Sequence, residues 1–289
     1  MMSNHNIGFG TYRLPVEIAP RMVSHAIRIG KCRRIDTAQL YKNQIEVIRE
    51  VRENHITDEI QITTKVSRKL IENSIKDNRS IELSVLEVRE WKPDIILLHT
   101  PSDLPNVNYV AWTQLNRLVN TWNGVQFGVS NYDIDHINQL SGPLPIPIVN
   151  QIEISPFHQP LNLINYCRMR GISIEAHSSL TKGEKFNHIG EMSIAPNLPN
   201  LPNLPTPARV LLAWSLHHNY NPIFSSKNVD HFDSNMAELP QLDMADIKRL
   251  DQLGVLNYRT HPQYRYNRGP ALPEPPAIGI SWLVAGGPR

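Results

Sequence analysis

Cysteine is nearly absent from this chain of 289 residues: only Cys32 and Cys167 occur. Two thiols in separate stretches exclude a disulfide framework and offer no metal-ligand spacing, so a reduced, cytoplasmic setting and no bound metal are expected. Excess charge is also absent. Lys and Arg number 29 against 27 Asp and Glu, a net charge of +2. That balance gives no basis for a nucleic-acid or anionic-membrane partner, and the short basic run Lys31–Arg34 leads straight into an apolar segment. No apolar run is long enough to span a bilayer, and the polar start Met1-Met2-Ser3-Asn4 does not read as a targeting segment. Glycine is sparse, with 14 residues. Gly8-Phe9-Gly10 lacks the third glycine of a dinucleotide-binding turn and does not open a helix, which argues against an open nucleotide-binding sheet.

Alternation is what the sequence does have. Short apolar runs recur near residues 7–11, 33–37, 61–65, 95–99, 126–131, 148–153, 173–177 and 222–226. Stretches with helical spacing lie between them: 16–29, 74–90, 110–120, 133–140, 161–170 and 207–218. Asp133 and Thr206 are expected N-caps, the latter followed by Pro207, and Gly171 and Gly254 are expected helix ends. Eight strand–helix units predict a closed (β/α)₈ barrel, a TIM barrel. The barrel is expected over residues 1–256, interrupted by the triple Asn-Leu-Pro repeat at 197–205, which reads as a solvated spacer or a rim element. A proline-rich irregular tail is expected over 257–289.

Four residues carry chemistry at the ends of these runs. Ile35-Asp36-Thr37-Ala38 is followed by Tyr41, Ile62-Thr63-Thr64 ends in Lys65, and Ile96-Leu97-Leu98 ends in His99. Strand ends are where barrel enzymes place chemistry. A tyrosine, a lysine, an aspartate and a histidine form a proton-donating set for a carbonyl. Tyrosine is the acid, the ammonium eases its ionisation, the carboxylate holds the lysine, and the histidine orients the substrate oxygen. Individually each has a bland reading: a buried ion pair, a packed ring, a satisfied core histidine.

These segments, together with Gly8-Phe9-Gly10-Thr11-Tyr12-Arg13, Gly128-Val129-Ser130-Asn131-Tyr132 and Asn150-Gln151-Ile152-Glu153-Ile154-Ser155-Pro156-Phe157, resemble the aldo-keto reductase family in order from about Gly8 to Leu253. The short chain and Asp36-Thr37-Ala38-Gln39-Leu40-Tyr41 look most like the small bacterial-type members, which reduce 2,5-diketo-gluconate and methylglyoxal. The resemblance implies NADPH-dependent reduction of small aldehydes and ketones, with NADH as a second option, by a monomer. It implies that Tyr41 is the general acid, Lys65 and Asp36 the pair that tunes it, and His99 the residue that orients the carbonyl. Ser130, Asn131 and Gln151 match contacts to the nicotinamide carboxamide, Thr11 a strand-end cofactor contact, and Tyr12 an aromatic of the substrate pocket.

Three segments depart from the family pattern. His177, in Glu175-Ala176-His177-Ser178-Ser179-Leu180, stands where a tyrosine usually stacks on the nicotinamide, with Ser178 and Leu180 beside it as further cofactor contacts. An imidazole there suggests weaker stacking and a pH-dependent affinity. In Phe224-Ser225-Ser226-Lys227-Asn228, serines and a displaced lysine occupy the region for the 2′-phosphate and adenine; Ser225, Ser226, Lys227 and Asn235 are the expected contacts. The tail beyond Tyr258-Arg259 does not align. An alternative reading is therefore a cofactor-binding interaction protein with little or no turnover on the same fold. A metal-dependent hydrolase is poorly supported, because His99, His158 and His177 lie on separate elements.

Overall fold

A computed structural model describes residues 6–55, 59–118, 122, 124–192, 194 and 206–262. The Asn-Leu-Pro repeat before Thr206 and the tail from 263 onward lie outside the described residues. Eight strands form one parallel sheet: β1 (Gly8–Gly10), β2 (Arg34–Asp36), β3 (Gln61–Val66), β4 (Ile95–Leu98), β5 (Gln126–Ser130), β6 (Val149–Glu153), β7 (Ser173–His177) and β8 (Ile223–Phe224). Their order is β7-β6-β5-β4-β3-β2-β1-β8. Neighbours in sequence are neighbours in space, and β1 also pairs with β8. The seam between β7 and β8 is closed by a bridge from Ala176 to Pro222 and by Asn221, whose side chain donates to the Ile174 carbonyl at 3.1 Å. This is the (β/α)₈ barrel expected from the alternation.

The helices wrap the outside. They are α1 (Ala19–Arg28), α2 (Gln44–Asn54), α3 (Arg68–Asn73), α4 (Ser80–Arg89), α5 (Val107–Arg117), α6 (Ile134–Gln139), α7 (Leu161–Met169), α8 (Phe186–Glu191), α9 (Thr206–His217), α10 (Val229–Met236) and α11 (Met244–Asp251). α1 buries Met22, Val23, Ala26 and Ile27, one apolar stripe at helical spacing. Asp133 caps α6 as expected, accepting from the His136 amide. Gly171 follows α7 with φ +70, the left-handed turn that favours glycine there.

Three local expectations need correction. The stretch 74–90 is helical only from Ser80 on: α4 covers Ser80–Arg89, and residues 74–79 form a turn between α3 and α4. Gln114 on α5 donates to the carbonyls of Ser74 (2.8 Å) and Asp77 (3.1 Å), so a distant side chain takes carbonyls that a continuous helix would have used. Gly254 does not end a helix either; a 3₁₀ turn, Gln252–Leu256, runs through it. A Cβ at Gly254 would lie 3.0 Å from the Gln159 amide nitrogen, a close approach that favours a small residue there. Thr206 is the first residue of α9 rather than a cap before it.

Inside the barrel, side-chain alternation with period two sends Arg34 and Asp36 to one face of β2, Gln151 and Glu153 to one face of β6, and Glu175 and His177 to one face of β7. Gln151 is the register partner of Glu175, and Glu153 of His177. The barrel interior thus carries polar groups along its length, and its C-terminal end holds the cavity described next.

Candidate active site

A cavity of about 440 Å³ opens at the C-terminal ends of the strands, with Asp36, Tyr41, His99, Gln151 and His177 among its walls. Asp36 ends β2, and the 3₁₀ turn Gln39–Tyr41 carries the chain back over the barrel mouth, which brings Tyr41 to the cavity. Lys65, on the inner face of β3, is buried at 1% exposure. Its Nζ donates to Oδ1 and Oδ2 of Asp36, both at 2.6 Å, to the Thr37 carbonyl at 3.0 Å and to the Tyr41 hydroxyl at 3.1 Å.

Burial pushes the Lys65 ammonium down and the Asp36 carboxyl up from their ordinary values, and each opposes the other's shift through its charge. Removing either partner would leave a buried unpaired charge, so the pair is mutually dependent. His99 meets Tyr41 ring edge to ring face at 5.7 Å. Burial first, and then the nearby Lys65 and His177, hold its imidazole well below the usual range, so it is neutral at physiological pH. Its Nδ1 is buried without a hydrogen-bond partner among the described residues.

The candidate cofactor residues divide into two groups. Ser130, Asn131, Gln151, His177, Ser178, Leu180 and Ser225 line the same cavity as Asp36, Tyr41 and His99. Ser130 donates to the Gln151 carbonyl at 2.9 Å. Asn131, held in the left-handed region at φ +62, donates to the His99 carbonyl at 2.9 Å and to Ser130 Oγ at 3.0 Å. Tyr12 lies beside Tyr41, with ring centroids 5.1 Å apart.

The second group lies away from the cavity. Thr11 is fully buried, and its hydroxyl is shared between the Asp36 carbonyl and Asn43 Oδ1. Ser226 is occupied in a turn, donating to the Asn228 carbonyl at 2.7 Å at the start of α10, and Lys227 is exposed. Asn235, on the buried face of α10, has an Oδ1 without a hydrogen-bond partner among the described residues.

His177 departs from one expectation. Its Nε2 lies 3.0 Å from Asn131 Oδ1 and its Nδ1 3.1 Å from Ser178 Oγ. Burial chiefly, with His261 and Lys65 adding to it against the opposing pull of Glu153, pushes its pKa down to about 3. The ring is neutral across the physiological range, so a cofactor affinity that changes with His177 charge is not expected.

Sequence reasoning missed three residues. His261 lines the cavity from the C-terminal segment, 5.6 Å from the His177 ring and 3.2 Å from Ser178 Oγ through Nδ1. Glu153, at the end of β6, holds that segment: it accepts from the Thr260 amide (2.5 Å), the Thr260 hydroxyl (2.8 Å) and the His261 amide (3.1 Å). Burial alone would push Glu153 up, but these contacts and His177 hold it at about 2. Glu175 is the third: it pairs with Arg34 across the barrel interior and accepts from Gln151. No local signal marks either glutamate, since β6 (Val149-Asn150-Gln151-Ile152-Glu153) and β7 (Ser173-Ile174-Glu175-Ala176-His177) each carry other polar residues.

The comparisons with known proteins agree with one another. The model of the aldo/keto reductase family matches residues 6–192. The methylglyoxal reductase DkgB of Yersinia pestis is 31% identical over 87% of this chain and 94% of its own length. A 9,11-endoperoxide prostaglandin H2 reductase of Trypanosoma cruzi is 31% identical over 86% of this chain and 87% of its own. The crystal structure of Gox0644 in its apo form superimposes with a TM-score of 0.71 at 27% identity, covering 86% of this chain and 89% of that one. A barrel with this cavity at its mouth, and a family match over more than half its length, lead to one assignment: the chain belongs to the aldo/keto reductase family and is an NAD(P)H-dependent oxidoreductase that reduces carbonyls.

Proposed function

We propose that this protein reduces the aldehyde or ketone carbonyl of small metabolites with NADPH, and that Tyr41 supplies the proton. The observation that supports it is the position of Lys65 Nζ, in contact with both oxygens of Asp36 and with the Tyr41 hydroxyl at 3.1 Å, beside a cavity that His99 also lines.

The residues present fit a nicotinamide nucleotide. Ser130, Asn131 and Gln151 would hold the carboxamide, His177, Ser178 and Leu180 would line the ring and its neighbouring phosphate, and Ser225, Ser226 and Lys227 would meet the 2′-phosphate. The buried Asn235 Oδ1, unpartnered among the described residues, is an acceptor suited to an amino group such as that of adenine. Bound there, the nucleotide supplies the hydride for the carbonyl carbon. NADH is the second nucleotide to test, because hydroxyls and one exposed lysine attract a 2′-phosphate less than a bidentate arginine does.

The chain's own residues do the rest. As charge develops on the substrate oxygen, the Tyr41 hydroxyl gives up its proton, and the adjacent Lys65 ammonium favours the phenolate left behind. Asp36 keeps that ammonium charged and in place. His99, neutral, donates from Nε2 in the tautomer that leaves only a lone pair on its buried Nδ1, and so orients the carbonyl toward Tyr41. Four groups already held in place need little reorganisation during the reaction.

The relatives that act on methylglyoxal make it the first substrate to try. Oxidation of NADPH in its presence, lost in Tyr41→Phe, supports the reading; tight NADPH binding without turnover of any aldehyde favours the cofactor-binding interaction protein instead.

A further inference from the structure

Four charged side chains and one amide run in a continuous column through the barrel interior. Arg34 pairs with Glu175, and its other nitrogen donates to the Asn6 carbonyl at 2.9 Å. Glu175 Oε2 accepts from Gln151 Nε2 at 2.9 Å. The same Nε2 donates to Asp36 Oδ1 at 2.8 Å, and Asp36 is paired with Lys65. Two positive and two negative groups balance, which is the condition for keeping them out of water.

The column decides which way the Gln151 amide points. A primary amide has two N–H groups, and both are taken, one by each carboxylate. Turning the amide over would set its oxygen against two carboxylates and take a donor from each, a costly arrangement in a buried site. Asp36 opposes the flip less than Glu175 does, because both its oxygens already receive Lys65. Glu175 relies on Gln151 and Arg34 for its donors. Gln151 Oε1 accepts from no described group, and Gln151 lines the cavity.

We propose that Glu175, neutralised by Arg34, is a positioning residue that locks the Gln151 amide with its oxygen toward the cavity, and thereby selects which face of the nicotinamide is presented to the substrate. The proposal rests on the reading of this cavity as the nicotinamide site. An acceptor fixed at Gln151 pairs only with the NH₂ end of a carboxamide. With that end assigned, the ring has one orientation about its bond to the ribose and offers one face to His99 and Tyr41. The charged groups around Gln151 are Asp36, across the barrel on β2, and Glu175 on β7, each paired in turn with a cation, Lys65 on β3 and Arg34 on β2. Glu175 also favours the charged form of Lys65.

The test is Glu175→Gln, read by fluorescence titration with NADPH and by transfer from NADPH deuterated on one or the other face of C4. The neutral amide introduced by this substitution can donate to a flipped Gln151, so both orientations of Gln151 become available. The expected result is a dissociation constant raised about tenfold, the scale of one lost oriented hydrogen bond, and deuterium transfer from both faces where the wild type uses one. The double variant Arg34→Gln, Glu175→Gln removes both charges together, so no unpaired ion remains to prevent folding, and the same two changes are expected. An unchanged dissociation constant with transfer still confined to one face, in either folded variant, overturns the proposal and leaves the pair a purely structural one. Wild-type protein that neither binds nor oxidises NADPH or NADH overturns the reading of the cavity, and this proposal with it; wild-type turnover with an unaltered Glu175→Gln overturns this proposal alone.

Discussion

Lys65 Nζ stands 3.1 Å from the hydroxyl of Tyr41 and 4.8 Å from the centre of its ring. The ammonium therefore lies near the ring edge at the oxygen, where it meets the charge that appears when the phenol ionises. It reaches that place from β3, while Tyr41 arrives on a turn 24 residues earlier in the chain.

Tyr41→Phe removes only the hydroxyl and leaves the ring beside Tyr12 and His99. Turnover with methylglyoxal is expected to fall by about 10²-fold or more. NADPH affinity, measured by fluorescence titration, should stay within about twofold. Retained turnover would exclude Tyr41 as the acid.

Lys65→Met should lower turnover by a similar factor, and it should also destabilise the fold. Asp36 is left with Gln151 but without its cation, and an unpaired buried carboxylate costs on the order of 3–5 kcal/mol. Chemical denaturation measures this, and a variant as stable as the wild type would contradict the ion pair.

His177 is pushed to about 3 by burial, so it carries no charge between about pH 5 and 9. The pH dependence of NADPH affinity in His177→Phe should therefore follow that of the wild type. His177→Tyr should tighten binding by a few-fold through a larger stacking area. A wild-type affinity step that vanishes in His177→Phe would show that the ring does titrate there.

Glu153 is held at about 2, below its ordinary 4.5, by its contacts to Thr260 and His261. A depressed carboxylate adds stability that is fully present above the unfolded value and is lost as pH falls toward the folded one. Acid unfolding of the wild type should therefore steepen between about pH 4.5 and 2. Glu153→Gln should flatten that slope and cost roughly 1–3 kcal/mol at neutral pH, as read by thermal melts across pH.

The segment Ser225-Ser226-Lys227, proposed above to meet the 2′-phosphate, is polar rather than strongly cationic. Ser225→Arg should raise the ratio of kcat/KM for NADPH over NADH by at least about tenfold, since a bidentate guanidinium adds what single hydroxyls lack. Steady-state assays with both nucleotides decide it.

The primary sequence alone determined the strands and the reductase motifs on them. Short apolar runs ending in Asp36, Lys65 and His99 are local patterns, and a strand end in a parallel barrel has only one mouth to face. The segments around Ser130, Asn131 and Gln151 were legible through the family resemblance of their motifs. What the tertiary structure decided are the pairings between distant strands. Arg34 and Glu175 are 141 residues apart, and Glu153 and His261 are 108 apart. Nothing local distinguishes a glutamate that holds a strap or orients an amide from one that faces solvent. The same applies to Gln114, which from another element takes the carbonyls of Ser74 and Asp77 in the turn that precedes α4. Local propensity describes where a chain can form a helix or strand; which buried donor meets which acceptor is settled only when closure of the barrel brings the strands around one axis and every interior polar group must find its partner.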